Sequence, residues 1–258
     1  MLTYIPFISM LTVKCGPTEE TEQVGTLRSI PYTTVKPWIE ICRITSQFGT
    51  STPVLGSGAI VGDSFVLTAA HVVYASGAPA NSCIVQSGID PSTGRAKLVA
   101  STTGAADIWV PDQYKQTQDS RFDIACIHLN DRIGSKVGFF QFSNWDDRLL
   151  MNAELHFAGY PGAIPTGTSP QLTYRQVSLT EFGVAYLKYP GSDLVDGDSG
   201  GPIYVAAQGR EDQFPDWPRF IVGVHTSLNN GFGQATRITR DLSVKIQSFM
   251  HSPQFTNG

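Results

Sequence analysis

Short apolar runs separated by turn-forming residues recur from one end of the chain to the other, and this spacing constrains the fold more than any other feature. Trp38 to Ile44, Gly58 to Val61, Phe65 to Ala69, Cys83 to Gln86, Ile124 to Leu129, Leu155 to Ala158, Pro202 to Val205, Phe220 to Val224 and Gln234 to Ile238 are each brief. They are rich in β-branched or aromatic residues and bounded by Gly, Pro, Asp or Ser, the pattern of half-buried strands. The 25 glycines and 16 prolines are spread among these runs, as turns between many strands require. One hairpin is expected to join Ala59-Ile60-Val61 to Phe65-Val66-Leu67-Thr68-Ala69 across Gly62-Asp63-Ser64, with the glycine available for positive φ. Near the C-terminus, Leu242, Ile246, Phe249 and Met250 recur at helical spacing after Thr239, which predicts one late amphipathic helix capped by that threonine. The expected fold class is all-β with a terminal helix.

Bulk composition narrows the function. At 258 residues, with 41% hydrophobic and 16% charged side chains, the chain has enough apolar surface for one large core or two small ones. Its formal net charge is -4, with no clustered excess of Lys and Arg, which argues against nucleic acid and anionic membranes as partners. The four cysteines, at 15, 42, 83 and 126, have no metal-ligand spacing, so no structural zinc and no other metal or cofactor is expected. Cys42, Cys83 and Cys126 sit inside apolar runs, where a free thiol behaves as a small hydrophobe; a disulfide pairing stays open. Leu2 to Val13 is an apolar run of signal-peptide length without a basic region before it or a small-residue cleavage site after it, and it is too short to span a bilayer. The polar stretch at 16–25 reads as a linker or removable leader, so the folded body is expected to begin near Thr26.

Chemistry enters at Gly197-Asp198-Ser199-Gly200-Gly201-Pro202. A serine hydroxyl is a poor nucleophile and needs a neighbouring base, plus donors for the oxyanion that forms when it attacks a carbonyl. Gly197 lets the chain turn so that its N–H and that of Ser199 converge, while Gly200 and Gly201 permit close passage of chain and substrate. A glycine-rich turn with an incidental serine is the plain alternative; the six-residue length and the strand that follows weigh against it. A serine nucleophile calls for a histidine and a carboxylate elsewhere in the chain. His71 closes the run Phe65 to Ala70, with small Ala69 and Ala70 leaving room for its ring. Asp123 stands just before an apolar run, where a carboxylate needs a partner to offset desolvation. Taken alone, each would be an ordinary loop residue.

The segments TAAH, FDIA and GDSGGP, in the order His, Asp, Ser, resemble the trypsin-family serine proteases. RSIPYTTVKPWIEI, GYPG and VGVHT with TRIT after it resemble the glutamyl endopeptidase branch. The resemblance implies two six-stranded antiparallel barrels with the active site between them, divided here as 28–143 and 144–258 behind a leader at 1–27. It implies a serine endopeptidase with His71, Asp123 and Ser199 as its triad, Gly197 and Ser199 as its oxyanion hole, and a protein or peptide as its substrate. A monomer and a secreted or extracytoplasmic location are expected, with the oligomeric state and an intracellular location staying open.

Specificity divides the reading. In the glutamyl branch, the histidine of the GxHT strand binds the substrate glutamate, and His225 and Thr226 match it; that branch has a hydroxyl residue where Leu194 stands. Asp193 occupies the position at which trypsin-like enzymes bind Arg or Lys, and it would repel a substrate glutamate unless it pointed away or found a partner. Acidic preference is therefore expected, with basic preference through Asp193 as the alternative. A non-catalytic binding module on the same scaffold is a second one. An α/β-hydrolase is disfavoured because its histidine comes last in chain order. His128, His156 and His251 read as structural, and Asp198 as support for the oxyanion loop.

Overall fold

The computed structural model describes residues 27–102, 104–162, 169–191, 193–205 and 218–256. The apolar run at 2–13, the polar stretch that follows and Cys15 lie outside the described residues.

Two antiparallel sheets carry the molecule. The first has seven strands in the order Ala96–Ser101, Ser82–Ile89, Ile41–Gln47, Val54–Gly62, Phe65–Thr68, Ala125–His128 and Ile108–Trp109. The second has nine, running from Arg28–Ser29 through Thr173–Val177, Leu155–Gly159, Pro202–Val205, Phe220–Asn229, Phe232–Arg237 and Tyr186–Pro190 to Glu181–Phe182, with Gln141–Phe142 added in parallel beside Phe220. The counts exceed the expected six per sheet because two-residue strands extend the edges. The two halves of the sequence are also interleaved. Arg28–Ser29 pairs with Thr173 and Tyr174 of the second sheet, while Phe249, from the terminal helix, packs edge-on against Phe65 of the first.

Each of the nine apolar runs lies on a strand, extending at most one residue beyond either end of it, except that Trp38–Glu40 forms a buried 3-10 turn and its strand starts at Ile41. Alternation explains Ile41–Gln47, whose inward residues Ile44 and Ser46 are fully buried while Arg43 and Thr45 are partly exposed. The Val54–Gly62 strand is buried along its last seven residues because both its faces are covered. The hairpin after it differs from expectation. Its turn is the two-residue Asp63–Ser64, and Gly62 is paired with Phe65 at a register shift and has no positive φ. A Cβ at Gly62 would stand 2.9 Å from the Met250 methyl, the free end of a flexible side chain that can move aside.

One buried cluster runs through the first sheet and continues into Tyr160, Tyr204, Ile221 and the helix residues Leu242 and Ile246. A smaller one, around Phe157, Leu187, Tyr189, Leu194 and Ile203, fills the second sheet. Fully burying one such isoleucine or leucine contributes about 1.5–3 kcal/mol. The terminal helix, Arg240–Met250, is capped as expected, with the Thr239 hydroxyl accepting from the Leu242 N–H. Cys42, Cys83 and Cys126 are free and buried; burial pushes the Cys83 thiol up to about 11 and those of Cys42 and Cys126 higher still, so all three stay protonated.

Candidate active site

His71 sits in a single helical turn, Ala70–Val73, that follows the Phe65–Thr68 strand directly. Ala69 and Ala70 are fully buried beneath it. Asp123 ends a 3-10 turn, Ser120–Phe122, just before the Ala125–His128 strand that pairs with Phe65–Thr68. That pairing delivers the two side chains to the same end of the sheet. His71 Nδ1 lies 2.7 Å from Asp123 Oδ2, and the His71 backbone N–H donates to Asp123 Oδ1 at 2.9 Å. Both carboxylate oxygens of this buried residue are thus engaged, which offsets its desolvation. The second sheet supports the carboxylate loop from behind, where the Thr236 hydroxyl lies 2.8 Å from the Ser120 carbonyl and 3.1 Å from that of Asp123.

Ser199 comes from the loop before the Pro202–Val205 strand. Gly197 has φ +96° and Gly200 +91°, both in the left-handed region that favours glycine. A Cβ at Gly200 would collide with the Ser57 carbonyl, so this glycine allows the loop to lie against the first sheet. Ser57 secures that contact: its N–H donates to the Ser199 carbonyl at 2.7 Å and its hydroxyl to the Gly197 carbonyl at 2.7 Å. Among the described residues, the N–H groups of Asp198, Gly200 and Gly201 have backbone acceptors, whereas those of Gly197 and Ser199 do not. They are the two donors expected to hold an oxyanion. The Ser199 hydroxyl lies 3.4 Å from the Thr226 carbonyl and is not hydrogen-bonded to His71. His71, Gly197 and Ser199 nevertheless border one cavity of about 450 Å³, so a rotation of the serine side chain is what a nucleophile–base hydrogen bond requires.

Asp198 is fully buried; its Oδ2 accepts from the Val195 N–H at 3.0 Å, and its Oδ1 has no partner among the described residues. Burial, reinforced by the nearby Asp193 charge, raises its pKa to about 7. Asp193 itself forms an ion pair with buried Arg175 and accepts from the Leu27 N–H at 3.1 Å. Arg175 also donates to the Pro190 carbonyl at 2.7 Å. This arginine was missed in the sequence because it stands mid-strand in Thr173–Val177 among alternating polar residues.

His225 is buried, its backbone bonded at 2.8 Å to both Gly200 and Gly201 of the Ser199 loop, and its Nδ1 lies 2.7 Å from the Tyr189 hydroxyl. Burial, aided by the His71 charge and opposed by the Gln234 backbone, pulls its pKa to about 3, so the ring is neutral at working pH. Burial also holds the Tyr189 phenol well above its usual range, which keeps its proton in place. Tyr189 then donates to Nδ1, and the ring's own proton resides on Nε2. Thr226, next along the strand, is buried too, and Leu194 is buried within the second cluster. The other histidines lie elsewhere. His128 faces Asp107 at 3.2 Å and stacks on Phe255, His156 is buried with Tyr174 at 2.5 Å, and His251 contacts its own helix at Gln247. Among the described residues no three His, Cys, Asp or Glu side chains group in a way that could hold a metal ion.

A trypsin family profile matches residues 32–251. The chain belongs to the trypsin family of serine proteases. The chain is also similar to the glutamyl endopeptidase of Bacillus licheniformis, with 26% identity over 227 residues, 86% of this chain and 66% of that protein. Its similarity to a protein of Bacillus subtilis named extracellular metalloprotease is 22% over 231 residues, 89% of this chain and 67% of that protein. The chain thus spans about two thirds of the curated relatives' length. Among solved structures, a Glu endopeptidase in complex with MPD superimposes with TM-score 0.70 at 23% identity, covering 88% of this chain and 97% of that one. The protease Anisep from Arthrobacter nicotinovorans does so with TM-score 0.62 at 16% identity, covering 82% of this chain and 93% of that one. These likenesses establish for this trypsin-family chain the two-sheet chymotrypsin fold expected from its sequence.

Proposed function

We propose that this trypsin-family protease hydrolyses peptide bonds with Ser199 as nucleophile, His71 as base and Asp123 as the group that orients and stabilises the imidazole, cutting after glutamate. The 2.7 Å contact between His71 Nδ1 and Asp123 Oδ2, on a cavity shared with Ser199, carries the catalytic part. With Nδ1–H held by Asp123, Nε2 is left to take the serine proton as Oγ attacks the scissile carbonyl. The N–H groups of Gly197 and Ser199 receive the negative oxygen. His71 then gives its proton to the departing amine, and water releases the acyl group by the same steps in reverse order.

Two observations support the acidic preference. A neutral His225 with its proton on Nε2 is a donor suited to a carboxylate. Asp193 is engaged by Arg175, which leaves it a poor receptor for a substrate Arg or Lys. A secreted or extracytoplasmic site of action belongs to the same proposal and draws on the word extracellular in the name of one relative. Cleavage-site profiling on a peptide library, with Ser199→Ala and His71→Ala as controls, tests the whole. Turnover should fall by several orders of magnitude in both variants, and Glu should dominate the residue before the cut. Undiminished turnover in either variant would overturn the roles, and dominant Arg or Lys would overturn the specificity.

A further inference from the structure

The cavity at Ser199 has a second wall that the proposed chemistry leaves unused. On one side stand His71, Gly197 and Ser199; on the other stand Val54, Leu55, Gly162 and Asp196. His225, Thr226 and Leu194 do not border it. If the acyl part of a substrate lies toward His225, the leaving segment occupies this opposite side, where His71 must meet the departing amine to protonate it.

The chemistry of that wall is mixed. Val54 and Leu55, which open the Val54–Gly62 strand, are partly exposed and offer apolar surface. Asp196 is exposed, and among the described residues its carboxylate has neither an ion pair nor a hydrogen bond. Its backbone is fixed, because its carbonyl accepts from the Gly162 N–H at 2.5 Å. An apolar strip facing a carboxylate matches a side chain with an aliphatic stem and a cationic head. An acidic side chain there would meet a like charge.

We infer that Asp196 makes this cavity a leaving-side subsite that selects Lys or Arg, and rejects Asp or Glu, in the first two residues after the scissile bond. The inference rests on the catalytic reading above and on the acyl part lying toward His225, not on the preference of that pocket for glutamate. Asp196 immediately precedes Gly197, whose N–H faces the developing oxyanion, so its negative charge opposes the transition state. A substrate cation beside it screens that charge and raises kcat as well as lowering KM.

The test uses internally quenched peptides whose residue before the cut is the one that library profiling selects, with Lys, Ala or Asp placed in turn at each of the next two positions. The wild-type protein should prefer Lys to Asp in kcat/KM by about tenfold, roughly threefold from attraction and the rest from repulsion, the scale of exposed charge pairs. The ratio should shrink as salt is raised. Asp196→Asn should bring it near unity, and Asp196→Lys should invert it. Reading a ratio within each variant removes any general loss of activity. A wild-type ratio near or below one, or a ratio that survives Asp196→Asn, overturns the inference. A profile without glutamate before the cut would sink the acidic reading alone, and no turnover on any peptide would sink both.

Discussion

The backbone N–H of Ser57 donates to the carbonyl oxygen of Ser199 at 2.7 Å, joining the central strand of the first sheet to the Ser199 loop of the second. The Ser57 hydroxyl donates to the Gly197 carbonyl at 2.7 Å and accepts from the Tyr160 N–H at 2.8 Å, while the Thr68 hydroxyl donates to the Ser57 carbonyl at 2.7 Å. The three side-chain bonds are buried, and three of the four bonds join segments more than a hundred residues apart, Thr68 alone lying eleven residues from Ser57 on the next strand. The position of the Ser199 loop relative to His71 is therefore set by the first sheet.

Replacing Ser57 with Ala should remove the hydroxyl contacts and keep the N–H contact. The Tyr160 N–H would then be buried without its partner, at a cost of about 1–3 kcal/mol in stability. A small displacement of the Gly197 carbonyl moves the oxyanion donors, so kcat should fall by roughly ten- to a hundredfold with little change in KM. Thermal melts and steady-state kinetics on one peptide measure both effects. A kcat equal to that of the unaltered protein would show that the N–H contact alone holds the loop.

A second prediction concerns Asp198 and pH. Its folded pKa of about 7 lies above the ordinary carboxylate value of 3.8, so between those limits the folded chain binds more protons than the unfolded one. The stabilising contribution of the protonated form is complete below about pH 4 and is lost as pH rises toward 7, with a slope of at most about 1.4 kcal/mol per pH unit. Asp198→Asn should flatten that slope and raise stability above pH 7 relative to the parent. Melting curves across this range, run in a Ser199→Ala background to prevent self-cleavage, give the comparison. Parallel curves for the two proteins would exclude a raised pKa at Asp198.

Much of this arrangement was legible in the sequence, for reasons that are local. The strand that ends at Thr68 and the motif around Ser199 announce themselves through alternation, small residues and glycines, and Asp123 is flagged by the apolar run after it. Ser57 gave no such signal, because a serine in an apolar strand looks the same whether it faces solvent or another lobe. Arg175 was hidden for a related reason. A charged residue in an alternating strand is read as outward-facing, and only the carboxylate and carbonyl that neutralise it, from Asp193 and Pro190, make its inward position tolerable. The role of Asp193 was undecidable without that partner.

Breaking the pair should therefore affect stability before specificity. Asp193→Asn leaves buried Arg175 facing a neutral amide, and the loss of a charge-assisted hydrogen bond costs about 1.5–3 kcal/mol. Arg175→Met should cost a similar amount. Neither substitution should create or abolish cleavage after Arg or Lys, since Asp193 is engaged elsewhere. Loss of basic-residue cleavage in a fully stable Asp193→Asn protein would contradict this assignment.

The remaining prediction separates His225 as a neutral donor from His225 as a cation. A histidine whose folded pKa is near 3 is uncharged throughout the range in which peptides with glutamate are ionised, so in the proposed pocket its affinity for that carboxylate would come from the Nε2 proton and would not titrate near neutrality. The preference for Glu over Gln before the cut should then stay level from about pH 5 to 8, whereas a cationic ring would lose it as pH rose through the ordinary histidine range of about 6.5. His225→Ala should lower kcat/KM for Glu substrates by about ten- to a hundredfold, the worth of one hydrogen bond to a charged group. Acylation of Ser199 by a small inhibitor that does not enter the pocket should be retained, because recognition and bond-making use different groups. Tyr189→Phe supplies the finer test: without the phenol proton on Nδ1 the ring loses its tautomer preference, so Glu selectivity should weaken while the fold, which keeps the aromatic ring, should hold. A selectivity that decays with rising pH in the unaltered protein, or survives in His225→Ala, would remove His225 from the pocket.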